Sequence, residues 1–176
     1  MYLALATADV WEIGGDFTAA DLFKSLPHIC VTNDILIVGS YWVASEIQQR
    51  LIAIEVKLSK QEKKPFSHAF AVNKSEYPEG RYFSIRPEKN QLQELSTLSK
   101  IPKGGVEKDL FFDHLLLYRQ GNPCIPLLYF HDAFMGGTLY LSGHYSEDVV
   151  CSFAKDLKAS FRWMHNPDLR IDEPKA

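Results

Sequence analysis

The chain has 176 residues, 46% of them hydrophobic and 23% charged. That is the length of one domain with an ordinary globular composition, and it excludes collagen, coiled coil and extended disorder. Nineteen basic residues against 22 acidic ones leave a net charge of −3, which argues against both a nucleic-acid grip and a dedicated anion mimic.

The first strand is expected at Tyr2 to Ala8, with a turn at Gly14-Gly15-Asp16. Thr18 and Asp21 have the spacing of a capping box. Leu22, Phe23 and Leu26 give the helix behind it an apolar stripe, and Pro27 stops it. Asp34 to Gly39 is a continuous apolar run rich in β-branched residues, the pattern of a strand covered on both faces. Ala44, Ile47, Leu51, Ile54 and Leu58 then recur at helical spacing. This order predicts a βαβ unit with a right-handed crossover. Lys57, Lys60, Lys63 and Lys64 read as a solvated face beyond that helix.

A strand is expected at 66–72 and a turn at Pro78-Glu79-Gly80. A further strand spans Arg81 to Arg86, and Leu92, Leu95 and Leu98 space a helix. Lys103-Gly104-Gly105 reads as a loop without the pattern of a phosphate-binding turn. Three strands follow, at Leu110 to Arg119, Cys124 to Ala133 and Thr138 to His144. Gly121-Asn122 and Gly136-Gly137 are placed between them as two-residue hairpin loops. Ser146 caps a last helix whose stripe is Val149, Val150, Phe153, Ala154 and Leu157. Phe161 to Met164 form an edge strand, and residues 166–176 read as a polar tail beyond a single domain over 1–165.

Two-residue loops would fix the register of this meander. His114 would face Tyr129, and Tyr129 would face His144, with His131 diagonal to that row. One sheet face would carry His114, Tyr118, Tyr129, His131, Tyr140, Ser142 and His144. The other would carry Phe111, Leu115, Leu117, Leu128, Phe130, Leu139 and Leu141, a core face for the helices. The histidine and tyrosine face suits the wall of a pocket or groove.

The candidate ligand-binding residues are therefore His114, Tyr118, Tyr129, His131, Tyr140 and His144, with Asp113, Asp132 and Arg86. His114, His131 and His144 match the ligand count of a catalytic zinc site, and a nearby aspartate could orient a ligand or activate water. Stacked side chains on a half-buried sheet are the structural alternative. Asp113 and Asp132 fall diagonal to each other on the leucine-rich face, where bare carboxylates are costly unless they accept hydrogen bonds at strand ends. Arg86 ends a strand and could reach an anion. Trp11, Trp42 and Trp163 read as core or rim packing. No hydrolase elbow or dinucleotide fingerprint occurs. Cys30, Cys124 and Cys151 are an odd number at wide spacing, as expected of reduced thiols in a cytoplasmic protein. The N-terminus has no basic region before its apolar run, and no run reaches the ~18–20 apolar residues of a membrane span.

Ile85-Arg86-Pro87, Asp113-His114 with Tyr118 and Gly121, and Phe130-His131-Asp132-Ala133-Phe134 resemble segments of a set of small bacterial proteins of unassigned function. Those share an Arg-Pro segment, a D-H-x-x-x-Y strand and a strand ending in D-A-F. The likeness spans about the C-terminal two-thirds of the chain. Ile85-Arg86 stands where the set has tryptophan and proline before the arginine. The resemblance implies a bacterial origin and transfers no activity to this chain.

The expected fold is α/β or α+β: one mixed β-sheet, with an N-terminal βαβ unit, a C-terminal antiparallel meander and about four helices. The expected function is non-catalytic binding or interaction, as in an adaptor or immunity-type protein, with a protein or small-ligand partner. The rival is a small metal-assisted hydrolase holding a divalent metal such as zinc on the three histidines.

Overall fold

The computed structural model describes residues 9–40, 45–63, 81–100, 112–121, 125–130 and 138–165. The first strand, β1, runs Asp9–Gly14. The strand expected at 2–8 lies outside the described residues, as do the strand at 66–72, the turn at 78–80 and the loop at 103–105.

Thr18 opens α1 (Ala19–Ser25) through the expected capping box. Its hydroxyl accepts the Asp21 N–H at 3.2 Å, and Asp21 Oδ2 accepts the Thr18 N–H at 3.1 Å. Strand β2 (Asp34–Ser40) is buried at every position, as its unbroken apolar run predicts. Helix α2 (Ser45–Ile54) buries Ile47 and Leu51, but it stops before Leu58. The Val56 N–H leaves the helical pattern to donate to Ser84 O at 2.7 Å. That bond carries the chain around the sheet, so Leu58 packs on the opposite face.

A short helix α3 (Lys60–Lys63) comes next, then β3 (Arg81–Ile85) and α4 (Lys89–Leu98). The meander is β4 (His114–Arg119), β5 (Ile125–Phe130) and β6 (Leu139–Ser142). Helix α5 (Glu147–Leu157) starts after Ser146 and buries Val150, Phe153, Ala154 and Leu157. Lys158 ends it in the left-handed region at φ 55°, which turns the chain into β7 (Ser160–His165).

All seven strands form one sheet in the order β3-β2-β4-β5-β6-β1-β7. The βαβ unit is present as β1–α1–β2. Its two strands run the same way but lie on either side of β4, β5 and β6. Each hydrogen-bonded neighbour is therefore antiparallel, and the parallel strands expected side by side are not adjacent.

The two faces differ as the alternation predicts. Leu36, Val38, Leu115, Leu117, Leu128, Phe130, Leu139 and Leu141 form one core with side chains from α1, α2, α4 and α5. Val10, Ile35, Ile37, Leu58, Leu116, Tyr118 and Tyr129 form a second core on the other face. Among the described residues, no helix is long and apolar enough to cross a membrane.

Candidate functional site

The register departs from two-residue hairpins. Tyr129 faces Leu116, not His114, and the ladder slips again between Leu117 and Tyr118. On its other side Tyr129 faces Tyr140, not His144. The connections are longer than two residues, since β5 begins at Ile125 and β6 at Leu139. Around Tyr129 the two ladders are offset from expectation by two and by four residues. Even offsets leave Tyr129 and Tyr140 on their expected face, whereas the one-residue slip beside Leu117 puts Leu127 in the same core as Leu128. The faces were therefore readable although the row of His114, Tyr129 and His144 does not exist.

His114 is placed by a glycine. It pairs with Gly39, which pairs with Tyr82 on the next strand. The Tyr82 ring lies over Gly39 and stacks on the His114 imidazole, with centroids 6.5 Å apart and planes 9° apart. A Cβ on Gly39 would sit 2.5 Å from Tyr82 Cε1, so only glycine leaves room for the ring. His114, Tyr118 and Tyr129 are 5%, 2% and 6% exposed. Tyr118 and Tyr129 belong to the second core, with Tyr140 packed against it, and His114 is buried on the same face.

His144 lies past the end of β6 and is exposed. Its Nδ1 is 2.8 Å from Ser142 Oγ, which also accepts the His144 backbone N–H at 3.3 Å. This is a local turn around a fully buried serine, not a nucleophile facing solvent. Asp113 is half-buried just ahead of β4, and its N–H donates to Gly39 O at 2.7 Å. Arg86 follows β3 and contributes to holding down the Glu62 carboxyl, after the larger effects of the Ser59 N–H and hydroxyl and the Gln120 amide. His131 and Asp132 lie outside the described residues, and so does Trp42. Among the described residues, no group of three or more histidine, cysteine, aspartate or glutamate side chains is placed to hold a metal.

A polar cluster that the sequence reading missed pins one end of the sheet. Asp34 is fully buried at the start of β2. It accepts the Val31 N–H at 2.8 Å and Arg119 Nε at 3.0 Å. Nearby, Tyr145 donates its hydroxyl to Ile29 O at 2.9 Å, and its own carbonyl accepts Trp11 Nε1 at 3.0 Å. Burial, reinforced by Asp34, pushes the Cys30 thiol far up. Burial likewise raises the Tyr145 phenol, with Cys30 and Asp34 adding to it. A thiol so held is not a nucleophile at neutral pH. The only sequence signal for the cluster was an aspartate opening an otherwise apolar strand.

The opposite edge of the sheet is different in kind. Strand β7 pairs with β1 from Asp9↔His165 to Gly14↔Ser160, and no described residue pairs with its other side. Trp163 is 50% exposed there and stands edge-on to Trp11, with centroids 4.6 Å apart. On the other face of β7, Arg162 Nε and Nη2 both meet Glu12 Oε1, at 2.8 and 2.7 Å. His165 Nδ1 is 2.7 Å from Asp9 Oδ1 at the end of the strand. The Gly143 N–H donates to Asp9 O at 3.0 Å, so β6 and β1 close against each other at that end.

The fold and these sites define an α/β protein whose described strands form one antiparallel sheet, with α1, α2, α4 and α5 packed on one face. Compared with known proteins, the sequence matches no family model and no curated protein, and no solved structure matches the fold.

Proposed function

We propose that this chain is a non-catalytic interaction protein, of adaptor or immunity type, that docks an extended segment of a protein partner along the outer edge of β7. The observation that carries this reading is the pairing of an open strand edge with a half-exposed tryptophan at its centre. Edge strands are normally blunted by proline, by charged side chains (lysine above all), by a bulge or by a cover, because a bare edge pairs with other chains. Strand β7, Ser-Phe-Arg-Trp-Met-His, has no proline, lysine or bulge, and its one arginine, Arg162, is ion-paired with Glu12 on β1. An added strand would gain main-chain hydrogen bonds from the edge and side-chain selectivity from alternate residues.

The described polar groups support binding over catalysis. Ser142 is buried, Cys30 is held as a thiol, and Asp34 is committed to Arg119 and Val31. The free thiols Cys30 and Cys151 suit a reducing cytoplasm, the setting we favour. The bacterial origin suggested by the short-motif resemblance belongs with the same reading.

A displayed library of random linear peptides, selected on the native protein and counter-selected on Trp163→Lys, tests it. Peptides should emerge that bind the native chain, shift the amide resonances of residues 160–165 and fail on the variant. Peptides that bind both proteins alike, or none at all, would contradict the reading.

A further inference from the structure

The chemistry of the β7 edge says what kind of segment it would take; this deepens the interaction reading and rests on it. Successive residues of the strand point to opposite faces. Trp163 presents an apolar ring on the helix-covered side, beside Trp11 and Phe161. Arg162 presents a guanidinium on the other side. A guanidinium carries five N–H groups. The Arg162 side chain is 69% exposed; its Nε–H donates to Glu12 Oε1 at 2.8 Å, and its Nη2 lies 2.7 Å from the same oxygen. Both contacts go to one oxygen, which leaves the rest of the guanidinium fork to meet a second carboxylate from beyond the edge. Glu12 is only 21% exposed behind the guanidinium, so an incoming strand meets the cation first.

We infer that the β7 edge selects an extended protein segment in which an acidic residue lies directly beside a large apolar one. The acid sits against Arg162 and the apolar side chain against Trp163. Both requirements fall on neighbouring positions because an added strand alternates with the same period as β7.

Two capped nine-residue peptides test the inference by nuclear magnetic resonance titration of the full-length protein. One alternates valine with glutamate, the other valine with lysine. The glutamate peptide should shift the β7 amides and the Trp163 indole at least tenfold more tightly than the lysine peptide. Arg162→Glu should reverse that preference. Equal affinity for both peptides at β7 would overturn the acidic selectivity while leaving edge docking intact. A shift with neither peptide would overturn the selectivity too, and the outcome of the library selection then decides docking on its own.

Discussion

The two edges of this sheet are built in opposite ways. At the β3 edge the chain covers itself. Val56 leaves α2 and donates to Ser84 O on β3, while Val56 and Leu58 pack on the face behind it. Next to that edge the Tyr82 ring fills the space over Gly39 and leans on His114. At the β7 edge the strand is bonded on one side only among the described residues, and its central tryptophan is half in water. The first edge contributes to stability, whereas the second, among the described residues, leaves apolar surface and main-chain groups unspent. An exposed tryptophan on a strand with one open side is the sort of surface that proteins keep for recognition.

Substitutions can break that contrast, because the covered half should be sensitive and the open edge tolerant. Asp34→Ala should have the largest effect, a loss of about 2–3 kcal/mol in urea denaturation, since it strands the Val31 N–H and removes the acceptor of Arg119. Asp34→Asn should lose less, because it keeps an acceptor for the N–H. Gly39→Ala should cost about 1–3 kcal/mol by forcing Tyr82 off its seat. The same variant should change the His114 ring resonances, which report the stack. A neutral Gly39→Ala would show that the β3 side is not built as described.

Lys158→Gly, at the entrance to β7, should raise the melting temperature, with a gain of up to about 1 kcal/mol from relief of the left-handed backbone. Trp163→Lys should have the smallest effect on stability, within about 1 kcal/mol, because half of the ring is already solvated. Its binding defect should nevertheless be complete. If Trp163→Lys instead unfolds the protein, the residue is core and the contrast between the edges fails.

The sequence was most informative where period and capping agree. Thr18 and Asp21 announced α1, the apolar run announced β2, and Val150, Phe153 and Leu157 announced α5. The faces of the meander around Tyr129 were legible for the same reason, since alternation survives an even shift of register, and it fails only at the slip beside Leu127. The register itself was not legible. It depends on the length and geometry of the loops after Arg119 and Phe130, which glycine pairs do not determine. The same uncertainty produced the expected row of His114, Tyr129 and His144, of which the structure moves His144 to an exposed turn. The strand order was hidden too. Placing β1 between β6 and β7 depends on contacts more than a hundred residues apart in the chain. The Tyr82 and His114 stack had one hint, a glycine inside a strand, which marks close approach. Trp163 could be placed at a rim, but its exposure required knowing that β7 closes the sheet.

The proposal depends on the outer side of β7, which no described residue pairs with, being open to a partner. Amide hydrogen exchange measured residue by residue over 160–165 in the full-length protein tests it most directly. In an antiparallel edge strand, alternate N–H groups point at the neighbour and the others point outward. The account predicts alternating protection, with slow exchange for the amides directed at β1 and fast exchange for those between them. Slow exchange at all six positions would mean that the edge is already paired in the free protein, and would contradict the claim.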